Sequence, residues 1–176
     1  MKLTKLALVL GFGISMATGV ATAADQGHGT VTFEGSIVDA PCSINSDSVD
    51  QTVQLGQVAA SSLEDGGTST PAKFSIKLGG CDVTTITDGV NITFTGNADA
   101  TTADNLAFGA GSSAKGASIA LADGEGKVIP LGTTCDPIAL NGGDNTLNFQ
   151  AYLVGGTASV TPGSFTSVTN FTLAYN

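Results

Sequence analysis

The sequence predicts an all-β protein, a β-sandwich, on three observations. Apolar and polar residues alternate with a period of two in short runs after residue 24, as in Thr30–Val38 and in the closing Phe171–Asn176. Clusters of Gly, Asn, Asp and Ser interrupt those runs at short intervals, and helical periodicity is scarce. Short strands at such spacing, with no helical stretch between them, favour packed antiparallel sheets over parallel βαβ units.

The elements follow in order. Residues 1–23 read as an export leader: Lys2 and Lys5 precede the apolar stretch Leu6–Met16, and Ala21-Thr22-Ala23 is a small-residue cleavage site. The apolar stretch is too short to span a bilayer. Cleavage there leaves 153 of the 176 residues, the length of a single domain. Eight strands are then expected. The first is Thr30–Val38, which puts Gly27, Gly29, Val31 and Phe33 on one face and His28, Thr30, Thr32 and Glu34 on the other. The second is Gln51–Gln57 with Val53 and Leu55 inward, and the third is Lys73–Leu78. The fourth centres on Val90, Ile92 and Phe94, and the fifth on Ile119 and Leu121. Asp123-Gly-Glu-Gly should turn the chain into Val128–Leu131, and Thr146–Val154 and Phe165–Asn176 complete the set. Residues 95–116, rich in Ala, Gly, Thr and Ser, are expected to form a loosely packed loop anchored by Leu106 and Phe108.

Charge and cysteines narrow the function. Loss of Lys2 and Lys5 with the leader takes the net charge from −9 to −11, with four lysines and no arginine left. Such a surface repels phosphate backbones and anionic lipid, so nucleic acid and direct lipid binding are disfavoured. The three cysteines form no C-x-x-C or Cys/His cluster, so no metal site is expected. In an oxidising compartment one disulfide is favoured. Cys42 follows the first strand and Cys81 follows the third, so a Cys42–Cys81 bond between adjacent strand ends is expected, with Cys135 left over.

No catalytic set is visible and no cofactor is indicated. His28, the one histidine, lies before the expected core and is read as part of a solvated face. Glu64-Asp65 sits in a Gly/Ser/Thr-rich turn, and Asp123 with Glu125 lacks the ligand ladder of a calcium loop.

Taken together, several features resemble the pilin subunits of chaperone–usher fimbriae, and most nearly the rod-forming pilins of type 1 and P-type pili. They are the leader, the extension G-x-G-x-V-x-F-x-G running to Asp39-Ala40-Pro41-Cys42, the second cysteine after a long strand, the stretch Gln51-Thr-Val-Gln-Leu-Gly-Gln57, Gly163 fourteenth from the end, and the penultimate Tyr175. The third cysteine, Cys135, departs from the usual pair. The resemblance implies an incomplete immunoglobulin-like sandwich that lacks its last strand and is completed by a donor strand. It implies a leader at 1–23, a donor extension at 24–34 and a pilin domain at 35–176; from its own alternation, Gly35–Val38 is expected to pair inside that domain. Gly27, Gly29, Val31 and Phe33 would form the donated face, Gly29 permitting close backbone approach. Gly163, Phe171, Leu173 and Tyr175 would border the receiving groove, and a chaperone's basic groups would grip the Asn176 carboxylate. The implied partners are neighbouring pilin subunits, a periplasmic chaperone and an outer-membrane usher, and the implied destination is the extracellular fimbria. A minor adaptor or tip-associated adhesive pilin is the alternative. A tip adhesin usually carries a receptor domain before the pilin domain, and only about 18 residues precede Cys42 after cleavage. A secreted hydrolase on a sandwich is the third reading, and it lacks the residues for catalysis.

Overall fold

A computed structural model describes residues 28–176; the expected leader and Gly27 lie outside the described residues. The chain divides into two units, Met1–Ser36 and Ile37–Asn176. Of the first, the described residues 28–36 form neither helix nor strand and are exposed.

The second unit contains six strands: β1 (Ser43–Ile44), β2 (Ala72–Cys81), β3 (Val90–Gly96), β4 (Ala117–Asp123), β5 (Gly143–Gly155) and β6 (Thr169–Tyr175). One short helix, α1 (Ser46–Val49), and two 3-10 turns, Ala60–Ser62 and Glu64–Gly66, fill the connections. The first sheet has the order β1-β2-β5-β4 and the second pairs β3 with β6; all pairings are antiparallel. This is an immunoglobulin-like sandwich that lacks a strand.

Alternation explains the core. On β5, Leu147, Phe149, Ala151 and Leu153 are buried at every second position. The register sets Phe74 opposite Phe149 and Ile76 opposite Leu147, so one face of the first sheet is continuous hydrocarbon. Phe94 reaches it from the second sheet, edge-on to Phe149 at 5.3 Å and to Phe74 at 6.2 Å between ring centroids. Aromatic rings favour such edge-to-face contacts because the positive rim of one meets the negative face of another. Cys42 and Cys81 are joined by a disulfide with Cα atoms 4.2 Å apart, tying the start of β1 to the end of β2. The ladder between β2 and β5 breaks its register between Leu78 and Cys81, where Gly80 takes a positive φ of 63°.

Several expected strands take another form. Residues 30–38 are not a strand, and Gly35–Val38 does not pair inside the domain; Ile37 and Val38 are exposed. Residues 51–58 keep the expected alternation, with Val53, Leu55 and Val58 half-buried, but no neighbour supplies a ladder. After the turn at Asp123, whose Oδ1 accepts from the N–H groups of Glu125 and Lys127, only the single bridge Ala122–Val128 forms. The loop at 95–116 is better packed than expected. Leu106 is buried and bridges Ala98 and Ile119, and the buried Asn105 side chain donates to Ser118 Oγ at 2.9 Å.

Candidate functional site: an apolar groove beside an unpaired strand edge

The core is not closed. A groove of about 1230 Å³ opens between residues 49–58 on one side and 160–171 on the other. Its floor is the hydrocarbon interior itself, including Phe74, Phe94, Leu106, Ile119 and Leu153. Each of the two stretches contributes half-buried apolar side chains to the lining, Val53, Leu55 and Val58 from one and Val160, Phe165 and Phe171 from the other.

The backbone hydrogen bonds of β3 fix which way β6 presents its own donors and acceptors. Val90 exchanges hydrogen bonds with Ile138 at 2.9 and 2.8 Å, Ile92 C=O accepts from Cys135 N–H, and Phe94 C=O accepts from Gly132 N–H. The backbone groups of Val90, Ile92 and Phe94 thus face residues 132–138, and those of Asn91, Thr93 and Thr95 must face β6. Their register partners are Ala174, Thr172 and Asn170. Successive residues of a strand present their N–H and C=O to opposite edges, so those of Phe171, Leu173 and Tyr175 face away from β3. Among the described residues no strand pairs with that edge. The side chains of the same three residues turn inward and pack, partly buried, against the core. Their inward faces are apolar and their outward edge carries unused donors and acceptors, the requirements of a site for one more strand.

The wall upstream of β6 is fastened elsewhere. Lys115 and Thr161 exchange backbone hydrogen bonds, Ser164 C=O accepts from Ser113 and Ala114, and Thr166 C=O accepts from Gly109 N–H. Phe108 stacks on Phe165 at 4.6 Å. Gly163 lines the groove with its back against this wall: an added Cβ would stand 2.5 Å from Ala114 N and 2.6 Å from the Ser113 carbonyl carbon.

The residues singled out from the sequence fall in three places. Phe171 and Gly163 line the groove, whereas Leu173 and Tyr175 continue the same strand beyond it. Asn176 is engaged within the chain: an oxygen of its carboxylate accepts from Thr87 and Asp88 N–H at 2.8 and 2.9 Å, and its side-chain amide donates to Asn91 Oδ1. Val31 and Phe33 lie in the exposed extension, where an added Cβ at Gly29 would meet nothing within 4 Å. Cys135 is a free, half-buried thiol whose sulfur accepts from Ile92 N–H at 3.2 Å and donates to Asp136 C=O at 3.2 Å. Burial raises the pKa of the Tyr175 phenol. Sequence patterns did not mark Phe108, Val160 or Val168 as groove residues, because only the tertiary path of 160–171 brings them there.

The fold is thus that of an incomplete immunoglobulin-like sandwich with an apolar groove along an unpaired edge. The family model described as "Fimbrial protein" matches residues 31–176, and the chain belongs to that family, whose members of this type are chaperone–usher fimbrial pilins. It is 52% identical to the "Fimbria A protein" of Serratia marcescens, over 99% of each chain. It is 48% identical to the "Major MR/P fimbria protein" of Proteus mirabilis (strain HI4320), again over 99% of each. A solved chaperone–usher pilus, described for the molecular basis of its rod uncoiling, matches with a TM-score of 0.75 and 36% identity, covering 86% of this chain and 97% of that one. The protein is therefore a structural pilin and not an enzyme.

Proposed function

We propose that this chain is the repeating subunit of a bacterial surface fibre and polymerises head to tail, the extension of one copy entering the groove of the next. The observation that carries this reading is the unpaired edge of β6 beside an open apolar groove, in a chain that also presents an exposed apolar alternation. Val31 is 74% exposed, Phe33 90% and Ile37 103%. In an extended strand these residues fall on one face, Val31 and Phe33 about 6.8 Å apart, which is also the repeat of Phe171 and Leu173 on the receiving edge. Strand addition at an exposed edge draws affinity from main-chain hydrogen bonds and specificity from alternate side chains in pockets; pilin assembly is one of its known cases. The contact joins two different surfaces and does not close, so it propagates as an open filament. Relatives named as major fimbrial or major pilin proteins support a homopolymer.

An uncovered groove and edge would make a lone subunit prone to aggregate. A periplasmic chaperone accordingly covers the groove first, and an outer-membrane usher passes the subunit to the surface fibre. Deleting Ala24–Thr32 tests donation. The shortened subunit is expected to accumulate in a chaperone complex and to give no fibres when it is the only copy expressed. Fibres of normal length from such cells would overturn the proposal.

A further inference from the structure

We infer that Asn91 is a positioning residue for strand capture: through Asn176 it holds the far end of the receiving edge straight. This rests on the groove reading just given. Val90 and Ile92, its neighbours on β3, point into the core, so the Asn91 side chain points to the opposite face of the second sheet. A strand residue there would ordinarily meet solvent. Asn91 is instead 8% exposed, covered by the 132–138 segment and by Asn176.

A buried amide needs partners for both its ends, and Asn91 has them. Its Nδ2 donates to Cys135 C=O at 2.7 Å, and its Oδ1 accepts from the side-chain amide of Asn176. Cys135 in turn is bound to Ile92 through both its N–H and its sulfur. One side chain therefore joins the segment covering β3 to the residue that follows β6. Asn176 is held further by its backbone, donating to Gly89 C=O and accepting from Thr87 and Asp88. All of these bonds lie on the β3 side.

The consequence concerns the opposite edge. Tyr175 presents its N–H and C=O toward the unpaired side, where among the described residues no strand holds them in line. Their alignment depends on the residue after them being fixed from the β3 side. If Asn176 works loose, the end of β6 frays and the incoming strand loses its last pair of backbone hydrogen bonds.

The experiment uses the full mature chain, dilute, with an excess of fluorescent peptide spanning residues 27–38, and measures peptide dissociation by anisotropy. Asn91→Ala and Asn176→Ala are each expected to speed dissociation about tenfold, and the double variant no more than either alone, because both remove one tie. Asn105→Ala is the control: it removes another buried amide, bound to Ser118 on the first sheet, and should lower the melting temperature while leaving peptide dissociation unchanged. A lowered melting temperature with wild-type dissociation in Asn91→Ala would overturn the assignment, as would additive effects in the double variant. Should Asn91→Ala fail to fold, Asn176→Ala decides by the same criterion. If the wild-type chain binds no peptide, the groove reading itself falls and this inference with it; binding that Asn91 and Asn176 do not affect removes only the latter.

Discussion

Cys42 and Cys81 are 39 residues apart in sequence, and their bond closes that loop where β1 meets β2. Restricting such a loop in the unfolded chain contributes roughly 4 kcal/mol in the chain-entropy account. Cys42→Ser is expected to cost about 2–5 kcal/mol, read as a lower denaturant midpoint and a smaller periplasmic yield. The same loss should appear in wild-type chain under reducing conditions, and an unchanged midpoint would deny the bond a stabilising role. At the end of β6, burial lifts the Tyr175 pKa above its ordinary value of 10.0. A phenol whose folded pKa exceeds its unfolded one contributes stability that is complete below the unfolded pKa and is lost as pH rises through the folded value. The melting temperature should therefore fall above about pH 10, and less steeply in Tyr175→Phe. Equal slopes in the two chains would show that ionisation of this phenol does not loosen β6.

At the scale of elements, two glycines make opposite predictions. Gly163 has backbone behind it: a Cβ would stand 2.5 Å from Ala114 N, and neither main chain can swing aside. Gly163→Ala should cost about 1–3 kcal/mol and spread the groove wall, measured by denaturant unfolding. Gly29 has open space around it, so Gly29→Val should leave subunit stability within about 0.5 kcal/mol of wild type. The same change should block fibre growth if the neighbour's groove requires close backbone approach, and normal growth would remove that requirement. These contrasts show what a sequence can display. Alternation fixed the inward faces of β2, β3, β5 and β6, because each buries one face against a common core. It could not distinguish residues 51–57 or 128–131 from true strands, since alternation reports a face and a strand also needs a partner. Groove residues such as Leu106 and Phe108 were visible as apolar anchors of a loop, but their place on the groove depends on chain crossings that no local pattern encodes. Asn91 was unreadable for a similar reason: a polar residue in an alternating strand looks solvent-facing until the 132–138 segment covers it.

For the molecule as a whole, a lone subunit is expected to be only marginally stable until its groove is filled. The open groove leaves half-exposed hydrocarbon such as Phe74, Phe108 and Phe165 along its lining, and among the described residues no strand pairs with the outer edge of β6. Seating Val31 and Phe33 there would contribute roughly 1.5–3 kcal/mol for each side chain, and each new main-chain hydrogen bond about 1 kcal/mol. Gains of that size are a large fraction of the 5–15 kcal/mol, roughly, that holds a typical domain folded. If the extension fills the groove as proposed, the strand it supplies is comparable in weight to the whole margin of stability, and folding and assembly would be coupled. Joining a copy of Gly27–Gly35 after Asn176 through a short flexible linker turns this into a test. The tether makes strand capture intramolecular at high effective concentration, so the groove should fill from within the same chain. The fused chain is expected to stay monomeric, to melt well above the unfused chain, and to accept no extension from a neighbour. The comparison needs a melting curve and an assembly assay on both proteins. A fused chain that melts where the unfused one does, and still joins fibres, would mean that the groove does not take this segment.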